Sequence, residues 1–353
     1  MADPAKARAK KKKSPVVFIL GITILLAICV PYIYYTLLIN DYGQKHKPEG
    51  YVMPQYSELW KTLVGAVVCQ VVRLTVYQLF YPTFYRISKV QDDEELRVRY
   101  ANKAADKLWG IIYFTVSSCW GWYVLKDLSI LPWYLGGPAD GSISNISLNT
   151  IFSKYPASLM DYSLYTFGYH FGDFLQHVLL NERGNDFEEM LLHHMAAISL
   201  YFCYIYGNML PVGSTIAFLH DLADILGAAS KMLNSTIYQN SSVVAFLGCT
   251  AVWFFTRILV LPNMIFFIFT CEYQGDLYQF QPYIILNGCF LSIMFLLHCY
   301  WFTLFIKMIS RFVKEGEAKD VQNDVEADQA TNKQSGGAKT TSPSKKGKSE
   351  KLE

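Results

Sequence analysis

Two adjacent histidines, His193-His194, follow the acidic stretch Asp186-Phe187-Glu188-Glu189, and a second cluster, His220-Asp221 with Asp224, lies farther along the chain. Asp221 and Asp224 are three residues apart and so share one face of a helix. Arg257 and His298 come later, and Arg73, His170, Asp173 and His177 come earlier, all within apolar surroundings. An ionisable side chain at bilayer depth costs about 2.5–3.5 kcal/mol on insertion scales, so a chain that keeps several has a use for them. Two chemistries suit this set. One is acyl transfer: an imidazole accepts the proton of an amine that attacks a thioester, or takes the acyl group itself. A neighbouring carboxylate then orients the ring and stabilises the imidazolium. The other is a metal centre. Seven histidines with no HxxxH pair fit a histidine-box dinuclear iron site poorly, whereas a single metal held by His and Asp stays compatible with the residues. No metal is expected. The plain alternative is structural: a hydrogen-bonded packing histidine, and an ion pair between Arg257 and one aspartate.

The elements that carry these groups must cross a membrane. Of 353 residues, 52% are hydrophobic and 17% charged, against about 25% charged in an average soluble chain. A formal net charge of +2 gives no reason to expect nucleic acid as a partner. Bilayer spans need about 20 mostly apolar residues, and eight stretches qualify: Pro15–Ile39, Trp60–Phe84, Leu108–Leu125, Leu159–Leu180, Leu191–Met209, Val212–Leu233, Val243–Thr270 and Pro282–Ile309. The fourth and sixth are the weakest because both hold carboxylates and histidines. The fold class is therefore all-α integral membrane. Of the eight cysteines, seven lie in apolar stretches and none forms a CxxC pair, which reads as buried thiols.

Charge sets the expected orientation. The basic arm, residues 1–14, and the segment Arg86–Lys107 carry the Lys and Arg that mark the cytosolic side. Both termini are then cytosolic. The sequon Asn145-Ile146-Ser147 is lumenal, while those at Asn234 and Asn240 are cytosolic and unused. A charged, Ser- and Gly-rich tail from about Lys314 is expected to be disordered.

The run from Asp186 through His193-His194, Asn208, Val212-Gly213-Ser214 and Leu219-His220-Asp221-Leu222-Ala223-Asp224 to Lys231 resembles the Lag motif of the ceramide synthases, which belong to the TLC-domain membrane proteins. Phe254-Phe255-Thr256-Arg257 with Pro262 resembles that family's FFxxR–P span. Asn287-Gly288 with His298 and Trp301-Phe302 resembles its last span, and Lys107-Leu108-Trp109 its opening block. Ala197, Pro211 and Ala228 depart from the pattern, standing where Thr, Arg and Glu are usual. The resemblance covers roughly residues 100 to 312.

What it implies is N-acylation of a sphingoid base by fatty acyl-CoA, giving (dihydro)ceramide and CoA, in the endoplasmic-reticulum membrane. No cofactor is implied beyond acyl-CoA as co-substrate. The last six spans would enclose the site as a helical barrel. The division is then 1–14 cytosolic arm, 15–100 two added spans with a cytosolic loop, 101–312 TLC domain and 313–353 tail. His193, His194, Asp221 and Asp224 are the expected catalytic groups. His220, Arg257, Asn287, His298 and Trp301 are the expected substrate-binding groups. The loop of about Cys271–Gln281 would bear on acyl-chain choice. Expected partners are the two substrates and membrane lipids, with a homo- or hetero-dimer or an accessory subunit left open. Rival readings are a non-catalytic TLC protein that senses or shuttles lipid or assists translocation, and a transporter with a carboxylate proton relay.

Overall fold

A computed structural model describes residues 15–145, 151–152, 154–180, 187–270 and 275–315. The basic arm, Asp186, residues 271–274 of the last loop and the tail from 316 lie outside the described residues. By its contacts the chain divides into a unit Met1–Thr303 and a second, Leu304–Glu353, whose described part is the final stretch of the last helix.

Among the described residues nine α-helices follow one another: α1 Pro15–His46, α2 Leu59–Arg86, α3 Glu94–Leu125, α4 Ala157–Leu179, α5 Phe187–Tyr206, α6 Leu210–Asn234, α7 Gln239–Trp253, α8 Leu261–Thr270 and α9 Gln281–Glu315. A π-helical segment, Phe254–Val260, fuses α7 and α8 into one rod. Eight rods therefore stand where eight spans were expected. Six of them are long and apolar enough to cross a membrane. The two that fall short are α4 and α5, so the weak pair is the fourth and fifth spans rather than the fourth and sixth. The reason is composition. The first ten residues of α6 are mostly apolar and carry the span despite His220, Asp221 and Asp224. In α5 the His pair, Ser199 and three tyrosines dilute the run. At about 1.5 Å per residue, α4 and α5 still reach roughly 30 Å or more, the thickness of the hydrocarbon core.

Helix ends also differ from expectation. The third helix begins at Glu94, well before Leu108, because Asp93 caps it: its carboxylate accepts from the backbone N of Leu96 at 3.0 Å, and Glu94 and Glu95 fill the first turn. The first runs on to His46 rather than stopping at Ile39. Among the described residues there is no strand; one bridge joins Ser88 to Thr236.

The packing closes a circuit. Helix α3 packs on α4 and α6, α4 on α5, and α6 on α7. Helix α9 completes it: the Tyr283 hydroxyl donates to the Cys203 carbonyl on α5 at 2.9 Å, and His298 and Trp301 meet Trp253 on α7. The first two helices add to the outside, α1 against α5 and α2 against α3 and α4.

Candidate active site

One layer of side chains joins most of the helices in the circuit. From α5, His194 is buried and His193 half-buried. Nε2 of His194 lies 3.7 Å from Oδ2 of Asp173 on α4, and its ring is 5.2 Å from that of His177. His193 meets His298 edge-to-face at 6.1 Å and Trp301 at 5.3 Å, both on α9.

A second imidazole pair adjoins the first. Nε2 of His220 lies 2.8 Å from Nε2 of His298. Nδ1 of His220 lies 2.7 Å from the Ile216 carbonyl, which can only accept, so that nitrogen carries the proton. In the neutral ring Nε2 of His220 is then the acceptor, and Nε2–H of His298 donates to it. This leaves Nδ1 of His298 bare, buried and without a partner among the described residues, as is Nδ1 of His193. Most buried polar atoms are paired, so two bare ring nitrogens in one cluster set these imidazoles apart from packing histidines.

Arg257 lies on the π segment, an irregularity that is rare and concentrates at functional sites. Its Nη2 donates to the His220 carbonyl and to Oδ1 of Asp224, each at 2.8 Å. Its guanidinium rests 3.7 Å above the Trp253 ring. Trp253 in turn donates from Nε1 to the His298 carbonyl at 3.4 Å.

The two aspartates thus part company. Asp224 binds Arg257, while Oδ2 of Asp221 accepts from the Ser117 hydroxyl on α3 at 2.5 Å. Their carboxylates have these partners rather than an imidazole, and it is Asp173 that accompanies His194. The structure brings His193, His194, His220, Arg257, His298 and Trp301 together, with Asp221 and Asp224 at their margin. Asn287 is buried but stands eleven residues before His298, about 16 Å along α9, and belongs to a different level. Sequence reasoning noted Asp173 without pairing it, and it passed over Ser117 and Trp253. A serine or tryptophan in an apolar span carries no chemical signal until its neighbours are known. No group of three or more His, Cys, Asp or Glu side chains is arranged to hold a metal ion among the described residues.

The far end of the circuit is tied by Asn208, in the turn between α5 and α6. Its φ of 58° is left-handed, a conformation that Asn tolerates better than most residues. Its amide donates to the Tyr51 hydroxyl at 2.7 Å and the Ile151 carbonyl at 2.5 Å, and accepts from Tyr155 at 2.6 Å.

An all-α membrane protein with a buried polar layer of imidazoles, carboxylates and one guanidinium is the class that this fold and site define. The TLC domain family matches residues 103–307, more than half of the chain. The chain belongs to the TLC-domain family. Among its relatives, human ceramide synthase 4 is 35% identical over 142 residues, which is 40% of this chain and 36% of that protein. Mouse ceramide synthase 3 is 32% identical over 146 residues, 40% of this chain and 37% of that protein. Ceramide synthase hyl-2 of Caenorhabditis elegans is 24% identical over 313 residues, 84% of this chain and 92% of that protein. The matches to human and bovine ceramide synthase 4 span little more than a third of those proteins.

Proposed function

We propose that this chain is a ceramide synthase of the endoplasmic-reticulum membrane, joining a fatty acyl group from acyl-CoA to the nitrogen of a sphingoid base. The observation that carries the reading is the buried imidazole layer, with bare nitrogens on His193 and His298. The relatives named ceramide synthase support the same chemistry.

The amine lone pair forms the new C–N bond at the thioester carbonyl carbon, and the C–S bond breaks. One proton leaves the amine nitrogen and ends on the sulfur, giving an amide and free CoA thiol. An imidazole carries that proton, since neither the amine nor the thiolate can hold the wrong charge in an apolar interior. His193 and His194 are the groups for this work. Asp173 lies beside His194, whereas His193 is bordered by Trp301 and His298. The CoA phosphates stay with the cytosolic loops, because their charge cannot enter hydrocarbon.

Lipid mass spectrometry of membranes given long-chain acyl-CoA and sphinganine tests this. The expected result is amide product from the wild type and its loss, by about a hundredfold or more, in His193→Ala/His194→Ala. Equal product from both would overturn the assigned roles. Lipid bound without turnover would replace the enzyme with a lipid-binding TLC protein.

A further inference from the structure

Charged side chains run in a line from α2 inward to His194. Arg73 on α2 donates from Nε to Oδ1 of Asp106 on α3 at 3.0 Å, and Nζ of Lys107 donates to Oδ2 of Asp106 at 3.0 Å. Lys107 lies within electrostatic range of Asp173 on α4, whose Oδ2 is 3.7 Å from Nε2 of His194 on α5. The two cations and two carboxylates of this line balance. The Asp173 side chain is 42% exposed, against 6% for that of His194.

That exposure opens inside the circuit of helices. Asp173 continues the face of α4 that carries Tyr169 and His170, four and three residues before it. Tyr169 packs on Trp109 and Tyr113 of α3, and His170 on Tyr201 of α5, so the face meets protein rather than lipid. Asp173 stands six residues from the end of α4, about 9 Å along the axis. That end lies on the side of the Arg86–Lys107 segment, which the positive-inside rule predicts to be cytosolic. One turn on, the His177 ring is 5.2 Å from that of His194, and its Nε2 is 3.2 Å from the Phe187 carbonyl. Asp173 is thus faced by Lys107 from α3, by His194 from α5 and by Tyr169 and His177 of its own helix, with Asp106 and Arg73 behind Lys107. The carboxylates of α6 are engaged elsewhere, Asp221 with Ser117 and Asp224 with Arg257.

The balance of the reaction gives this line a task. An alkyl amine is an ammonium at neutral pH, as a lysine side chain is. Ammonium plus thioester gives amide, thiol and one free proton. The nitrogen therefore sheds two protons: one ends on the sulfur, and the other must leave a buried site. We propose that Asp173 is the exit for that second proton, taking it from His194 and passing it to the cytosol, with the Arg73–Asp106–Lys107 chain holding the carboxylate in place. A gap of 3.7 Å is closed by a small rotation of the side chain or by one water. With Asp173 ionised the line is neutral; with Asp173 protonated it carries one net positive charge, which drives the proton onward. The assignment rests on the acyl-transfer reading above and adds to it a residue and a direction for the proton.

The experiment uses the full chain in membranes, with acyl-CoA and sphinganine saturating, and follows kcat with and without added formate at constant pH and ionic strength. Asp173→Asn keeps the shape of the side chain and cannot take a proton, and its kcat is expected to fall about tenfold or more. Asp173→Ala is expected to fall as far, and formate, a carboxylate small enough to fill the space left, to raise its kcat about fivefold or more. Formate is expected to leave the wild type and Asp173→Asn unchanged, the first because its exit is intact, the second because the space is filled. A packing role for Asp173 would spare Asp173→Asn and give formate nothing to restore. Either wild-type kcat in Asp173→Asn or an Asp173→Ala chain that formate does not revive overturns the exit. A wild type that forms no amide overturns the acyl-transfer reading instead, so the two failures are distinct.

Discussion

Arg257 holds two elements with one nitrogen, binding the His220 carbonyl and the Asp224 carboxylate at once. Removing it leaves Asp224 half-buried without its counter-ion and frees the α6 backbone that carries His220. Breaking a buried pair from one side costs about 3–5 kcal/mol, whereas replacing both partners by apolar groups is often near neutral. Arg257→Ala is therefore expected to lower the thermal midpoint in detergent markedly, and Arg257→Met with Asp224→Met to recover most of the loss. A double variant as unstable as the single one would show that the pair is not what Arg257 contributes. Activity separates the roles: the double variant is expected to fold and yet turn over poorly, because Arg257 also stacks on Trp253, and Trp253 donates to the His298 carbonyl. At this scale the sequence was informative about residue type and misleading about pairing. Three-residue spacing placed Asp221 and Asp224 on one face. It could not show that one turns to Ser117 and the other to Arg257, because that depends on which helix lies opposite each.

Helices α4 and α5 lack a long enough apolar run to count as spans for the same reason that they matter: their histidines and tyrosines face neighbouring helices rather than lipid. Both were read as spans from the sequence, α4 as a weak one, and the polar interior explains their composition. The π segment had no sequence signal, since its residues also suit an ordinary α-helix. Packing between α3 and α6 accounts for one departure from the Lag pattern. Ala228 is buried, and a Cβ at Gly110 would lie 3.4 Å from its own Cβ, so two small residues let these helices approach closely. A glutamate there has no room and no cation on the opposing glycine. Ala228→Glu is expected to destabilise the protein by about 3 kcal/mol or more, as an unpaired buried charge, and Ala228→Ser by about 1 kcal/mol. Thermal unfolding in detergent measures both. A fully stable Ala228→Glu chain would show that the α3–α6 seam opens easily and that Ala228 is not set by packing.

At the scale of the whole molecule, much apolar surface faces out while a polar layer is enclosed within the apolar core. Leu63, Val67, Val71 and Leu74 recur along one face of α2 and are each more than half exposed, while Asp221, Arg257 and His298 are buried. Each end of the helices is also tied. At one, the α2–α3 loop meets the α6–α7 loop, through Lys89 N donating to the Ser235 carbonyl at 3.2 Å and Ile237 N to the Ile87 carbonyl at 2.9 Å. At the other, Asn208 gathers Tyr51, Ile151 and Tyr155. The Lys and Arg of Arg86–Lys107 therefore share an end with Asn234 and Asn240, and the positive-inside rule predicts a cytosolic side for that end. Asn145 lies at the opposite end, exposed in the α3–α4 loop, with its amide nitrogen donating to the Ser129 and Asp140 carbonyls. Only one end can meet the lumenal glycosylation machinery. Treatment with an N-glycan-removing enzyme is expected to shift the wild type by at most one glycan, the shift to vanish in Asn145→Gln, and Asn234→Gln with Asn240→Gln to change nothing. A shift that depends on Asn234 or Asn240 would invert the molecule. The imidazole layer, close to the α5 start and far from the Asn208 end, would then open toward the lumen, away from the cytosolic acyl-CoA that the proposed function requires.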